Sequence, residues 1–160
     1  MSLFGNDEYQ WRETYFVMLR AVDRPHTEPV VACLKQGRGH YELKDVQSDE
    51  HGRFESLTLL SADDFSGMDV TYVTGNEVTE QLDELSREIA KSTLTDEDRK
   101  KLTRLQQCDA RLDIYHFEYM LGNNGQEEEF LDPGSLIIVL KKLARLCHGI
   151  GVDPQSGTLM

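Results

Sequence analysis

Apolar residues occupy both alternation classes over residues 14–22. Tyr15, Val17, Leu19 and Ala21 take one face and Phe16, Met18 and Val22 the other, interrupted by Arg20. A run of this kind predicts a central strand covered on both sides. The turn chemistry of Asp23-Arg24-Pro25-His26 follows. Residues 29–34, with Pro29 in the first turn and Gly37 and Gly39 behind them, predict a short helix. Over 40–47 Tyr41 and Leu43 alternate with Glu42 and Lys44. After Asp49-Glu50-His51-Gly52, residues 53–60 supply a hairpin partner. Ser61 and Asp64 have capping-box spacing, so 61–64 is a loop or one helical turn. Over 68–73 Met68, Val70 and Tyr72 alternate with Asp69 and Thr71, which predicts a further strand.

The period then changes. Val78, Leu82, Leu85 and Ile89 form one narrow apolar stripe on a charged helix at 77–91. Thr95 is an N-cap candidate for a helix over 96–107. Its first turn holds Asp96, Glu97 and Asp98, where the helix dipole favours anions, and Leu102 and Leu105 supply its apolar face. Residues 110–121 return to period two, with Leu112, Ile114, His116, Glu118 and Met120 facing one way and Asp113, Tyr115, Phe117, Tyr119 and Leu121 the other. The last helix is the best marked. Asp132 is its N-cap candidate, Pro133 sits at the first helical position, and Gly149 lies just past the end. Leu136, Ile137, Leu140, Leu143, Ala144 and Cys147 give it a wide apolar face. Residues 1–13 are expected to be a loosely held arm, 122–131 with Glu127, Glu128 and Glu129 a flexible acidic loop, and 150–160 an extended tail.

The expected order is β-α-β-β-β-α-α-β-α, an α+β chain with helices on a mostly antiparallel sheet of about five strands. In element order alone it resembles a ferredoxin-like split β-α-β sandwich, carrying an added strand and an added C-terminal helix. That resemblance implies a layout and no activity.

Composition narrows the functional classes. The chain has 160 residues, which fits a single domain over 1–160. Its 17 Lys+Arg against 29 Asp+Glu give a formal charge of −12. Such a balance argues against nucleic acid as partner, because a sequence-independent grip on a phosphate backbone needs clustered cations. No apolar run approaches the roughly twenty residues of a membrane span, so no membrane partner is expected. Cys33, Cys108 and Cys147 are odd in number and far apart, as expected of reduced thiols in a cytoplasmic protein, and the first residues show no secretory leader.

Catalytic and ligand-binding patterns are thin. Asp153-Pro154-Gln155-Ser156-Gly157 lacks the first glycine of a nucleophile elbow, and Gly37-Arg38-Gly39 follows a helix where a phosphate cradle must open one. Cys147 and His148 are adjacent, so their side chains diverge on a helix; no zinc spacing and no EF-hand loop is present. His116 and Glu118 share a strand face, and with a nearby carboxylate such as Asp69 they are the candidate acid–base or metal-ligating group. No cofactor is implied. Two features point to interaction: the stripe Val78, Leu82, Leu85 and Ile89, which a second copy of the chain could cover, and the cations Lys141 and Arg145, which could face Glu127–Glu129 or an acidic partner. The leading expectation is therefore an acidic cytoplasmic interaction or regulatory module, self-associating or bound to another protein. The alternatives are an enzyme built on His116 and Glu118 and an acidic dedicated chaperone or adaptor.

Overall fold

Strand β1 (Tyr9–Leu19) is the spine of the molecule: β5 pairs with it along its whole length and β6 with Phe16–Met18. The computed structural model describes residues 2–36, 41–62, 65–92, 94–120 and 134–160. Along the chain α1 (Thr27–Lys35) is followed by β2 (Tyr41–Ser48), β3 (Phe54–Ser61) and β4 (Ser66–Thr74). Next come α2 (Asn76–Ala90), α3 (Asp96–Leu105), β5 (Ala110–Tyr119), α4 (Gly134–Leu146), β6 (Ile150–Asp153) and β7 (Thr158–Leu159). Short 3-10 turns sit at Leu3–Gly5 and Ala21–Asp23. Among the described residues the strands form one seven-stranded sheet in the order β2-β3-β4-β5-β1-β6-β7, with antiparallel pairing throughout.

The two apolar faces expected of the first strand are real as far as Leu19 and are covered by different helices, whereas Ala21 and Val22, expected on the same strand, lie in the 3-10 turn beyond it with Val22 exposed. Val17 and Leu19 join Leu57, Leu59, Met68, Val70, Leu112 and Ile114 under α1 and α4, which contribute Val30, Leu34, Leu136, Leu140 and Leu143. Met18 joins Ile150 and Val152 on the opposite face, under Val78, Leu82 and Ile89 of α2 and Leu105 of α3. Each fully covered Leu, Val or Ile contributes about 1.5–3 kcal/mol of transfer free energy. The α+β class with an antiparallel sheet is as the sequence suggests. The sheet is wider than five strands because the tail folds into β6 and β7, β1 is longer than expected because it extends back to Tyr9, and the helices make layers on both faces.

Two corrections concern the ends of the chain. Over residues 2–13 the chain is not a loose arm: Leu3 is fully buried, and β1 starts at Tyr9. The alternation hides this because the register skips between Trp11 and Glu13, a bulge at Arg12. Trp11 pairs with Phe117 and Tyr15 with Ile114, so odd-numbered positions change face across the bulge and the period-two pattern breaks. The tail carries ladder bonds, Val152 opposite Leu159 and Asp153 opposite Thr158. The expected acidic loop 122–131, the cap at Asp132 and Pro133, and the capping pair completed by Asp64 lie outside the described residues.

Local capping follows the sequence where it can be followed. At α3 the Asp98 N–H donates to Thr95 Oγ1 at 3.1 Å and the Thr95 N–H donates to the Asp98 carboxylate at 3.4 Å, a reciprocal capping box. In the β2–β3 turn the Asp49 carboxylate accepts from the Arg53 N–H at 2.8 Å and the His51 N–H at 2.9 Å, beside Arg24 at 3.3 Å. The Arg53 N–H, followed by that of His51 and the Arg24 charge, holds the Asp49 pKa below its ordinary value. A depressed carboxylate pKa stabilises the fold above the unfolded value and loses that contribution as pH falls through the folded one. Acid unfolding followed by circular dichroism is therefore expected to lose part of its pH dependence in Asp49→Ala.

Candidate functional site

Among the described residues polar or charged side chains gather in a largely buried band on the α1/α4 face, in a cavity on the opposite face and in a groove between α1 and α4.

The band arises where the apolar core of the α1/α4 face gives out toward the end of β5. Tyr41, Ser61, Ser66, Glu118 and Gln10 lie opposite one another in sequence across five adjacent strands, forming one polar rung. The next rung inward places His116 between Met68 and Glu13. His116 and Glu118 thus share a face as expected, on an inner strand, at 5% and 4% exposure. Glu118 accepts from Arg12 Nη1 at 3.3 Å, and the bulge at Arg12 is what brings that guanidinium in. His116 Nδ1 lies 3.3 Å from Glu13 Oε1 without hydrogen-bond geometry, and Nδ1 and the buried Ser66 Oγ have no hydrogen-bond partner. A buried hydroxyl with no partner costs its desolvation. Ser66→Ala is accordingly expected to raise stability by about 1 kcal/mol, read from denaturant midpoints.

Asp69 does not join this group. It pairs with Tyr115, next to the position where Met68 pairs with His116, so it faces the other side of the sheet. There its Oδ2 accepts from Ser2 Oγ at 2.9 Å and the Leu3 N–H at 3.0 Å, and its Oδ1 accepts from Thr58 Oγ1 at 2.8 Å. The carboxylate near His116 is Glu13, which the sequence reading missed because the bulge conceals its register. Asp69 also lines a polar cavity of about 290 Å³ with Ser56, Thr58, Thr71 and Tyr115. Asp113, close by, is buried and accepts from Arg111 and from the Tyr115 hydroxyl.

The groove is assembled from two matching helical stripes. Pro29, Ala32 and Cys33 on α1, with Gln36 at its C-cap, and Ile138, Lys141, Lys142 and Arg145 on α4 are each spaced i, i+3, i+4, i+7, the spacing of one helix face. The space between them is about 560 Å³. Lys142 Nζ donates to the Gln36 carbonyl, and the Cys33 thiol donates to the Lys142 carbonyl at 3.8 Å, so the two walls are tied together. Lys141 and Arg145 are exposed along it, and Ile138 is exposed to 48%. The other expected interaction surface is spent internally: Val78, Leu82 and Ile89 are buried against the sheet, with Leu85 packed on the same cluster. A stripe that narrow suffices for helices lying over a sheet whose own face supplies the rest of the core.

None of the three cysteines forms a disulfide. Burial pushes the Cys33 thiol up despite Lys142 and Arg145, and pushes Cys108 up to about 11 and Cys147 up to about 12. The thiolate is the nucleophile. Alkylation by iodoacetamide near neutral pH is therefore expected to be slow at all three in the native protein and fast after denaturation, as read by mass spectrometry.

Among the described residues no group of three His, Cys, Asp or Glu side chains is placed to hold a metal ion. No described helix is long and apolar enough to cross a membrane. No protein-family model, curated protein or solved structure matches the chain.

Proposed function

We propose that the protein is an interaction module whose α1/α4 groove holds an acidic amphipathic segment of a partner protein. One observation carries this reading: an apolar groove flanked by Lys141, Lys142 and Arg145, on a chain whose formal charge is −12. Cations gathered along one helix of an acidic protein select against its own acidic surface and for a complementary one. The apolar floor supplies the burial that surface charge pairs alone do not. A helix with Leu at i, i+3/i+4 spacing and Glu between fits both requirements, and an adaptor or dedicated chaperone would use such a groove on its client. We infer a cytoplasmic setting, supported by the three free thiols.

The test uses a labelled synthetic helical peptide of that pattern, titrated with the intact protein and followed by fluorescence anisotropy. Binding is expected at a Kd on the order of micromolar. Lys141→Glu combined with Arg145→Glu should weaken it at least about tenfold, which is about 1.4 kcal/mol, and added salt should weaken it too. Ile138→Asp, an exposed substitution, should do the same without unfolding the protein. Unchanged affinity in the charge-reversed variant would end the proposal.

A second reading, acid–base catalysis at His116 and Glu118, is favoured by the unpartnered His116 Nδ1 beside Glu13. It now rests on Glu13 in place of Asp69. At 5% and 4% exposure both groups are almost wholly buried, so a substrate would need this face to open. Turnover on a hydrolase substrate panel that disappears in His116→Gln would support it.

A further inference from the structure

Six large apolar side chains are strongly exposed among the described residues, and three of them border one hollow: Phe4 at 59%, Trp11 at 47% and Met120 at 44%. Scattered single exposures are ordinary, whereas a contiguous group marks an interaction surface. The hollow, about 510 Å³, is floored by Phe117 and Tyr9 on the sheet face that carries Asp69. It shares no lining residue with the α1/α4 groove and differs from it in charge, since Asp7 on its rim and Glu8 beside it are exposed acids with no cation paired to them among the described residues.

Its construction is specific. Phe4 meets Tyr115 and Phe117 edge-on, with ring centroids 5.1 and 4.8 Å away, so the 3-10 turn at Leu3–Gly5 forms one wall. Trp11 also lines the hollow, and its indole N–H donates to Thr14 Oγ1 at 3.0 Å, which anchors the ring along β1. The same stretch of β1 borders the limit of the sheet, because β6 pairs only with Phe16, Val17 and Met18. An aromatic shelf beside the edge of a strand suits an extended chain, which can add main-chain bonds along the edge and place alternate side chains in the hollow.

We propose that this shelf binds an extended segment of a partner protein bearing alternating apolar and Arg or Lys side chains. Alternate side chains of an extended segment share a face, so the apolar ones enter the hollow lined by Phe4, Trp11 and Met120, and the cations, turned to the other face, meet the acids Asp7 and Glu8 at its rim. The chain's own charge of −12 disfavours a second copy as occupant. This surface is independent of the α1/α4 groove and takes a partner of opposite charge.

Trp11 is the single tryptophan of the chain, so the intact protein reports on the shelf without a label. A synthetic Arg-Val repeat peptide is expected to shift or quench tryptophan emission saturably. A Glu-Val peptide of the same length should leave it unchanged. Asp7→Lys, an exposed substitution that disturbs no core contact, should weaken the Arg-Val response at least about tenfold. Lys141→Glu with Arg145→Glu should leave that response intact, which separates this proposal from the groove. Equal responses to both peptides, no response to either, or emission changing only with protein concentration as the chain self-associates would each overturn it. So would an unaltered affinity in Asp7→Lys.

Discussion

Gly149→Ala is expected to destabilise the protein by about 3 kcal/mol, at the upper end of what overpacking a well-filled interior costs. A Cβ at this position would lie 2.4 Å from the Met18 carbonyl oxygen, 3.0 Å from Val17 Cγ1 and 3.3 Å from the Met18 carbonyl carbon. The nearest atom is backbone of a strand held on both sides, by β5 and by β6, so it cannot yield without breaking a ladder. The useful control is Gly157→Ala. That glycine has φ +72° and open space around it, so its cost is the left-handed backbone alone, about 1 kcal/mol. Urea denaturation of both variants decides the matter. A Gly149→Ala midpoint no lower than that of Gly157→Ala would show that β6 can move away from β1.

The same residue shows where sequence patterns stop. Gly149 reads as a helix terminator, and α4 does end before it. Yet the left-handed residue there is His148, at φ 53°, and the Gly149 N–H closes the turn by donating to the Ala144 carbonyl at 2.8 Å. The requirement for glycine comes from a strand more than a hundred positions earlier in the chain, and no local spacing encodes it. Elements with a strong internal period were legible: α2, α3 with its Thr95 cap, and β5 with His116 and Glu118 on one face. The Arg12 bulge was not, and with it went the partnership of His116 with Glu13. Asp69 alternates correctly on β4, but facing direction relative to another strand depends on register, which one residue of slip reverses. The α1/α4 groove was half visible. Lys141 and Arg145 stand out on their helix, whereas the matching stripe of α1 has meaning only once the two helices lie side by side.

Asp69→Ala is expected to cost about 2–3 kcal/mol, a large part of the stability of an ordinary domain. The carboxylate collects three donors, Ser2 Oγ, the Leu3 N–H and Thr58 Oγ1, and is itself 7% exposed. Alanine takes away the acceptor shared by Ser2 and Leu3, and with it the tether of the N-terminal turn. Leu3, fully buried and seated against Gly67, then loses the acceptor of its N–H, and only the Asn6 N–H on its carbonyl still ties its backbone within the turn. Phe4, one residue on, is a wall of the aromatic shelf, so emission from Trp11 should change together with the fall in the denaturation midpoint. Asp69→Asn separates hydrogen bonding from charge. Its amide oxygen can serve Ser2 and Leu3 while its NH₂ donates to the Thr58 hydroxyl, which can turn to accept. The asparagine variant is therefore expected to keep more than half of the stability that alanine loses. If the two variants were equally damaged, the negative charge of Asp69 rather than its geometry would be what the N-terminal turn requires.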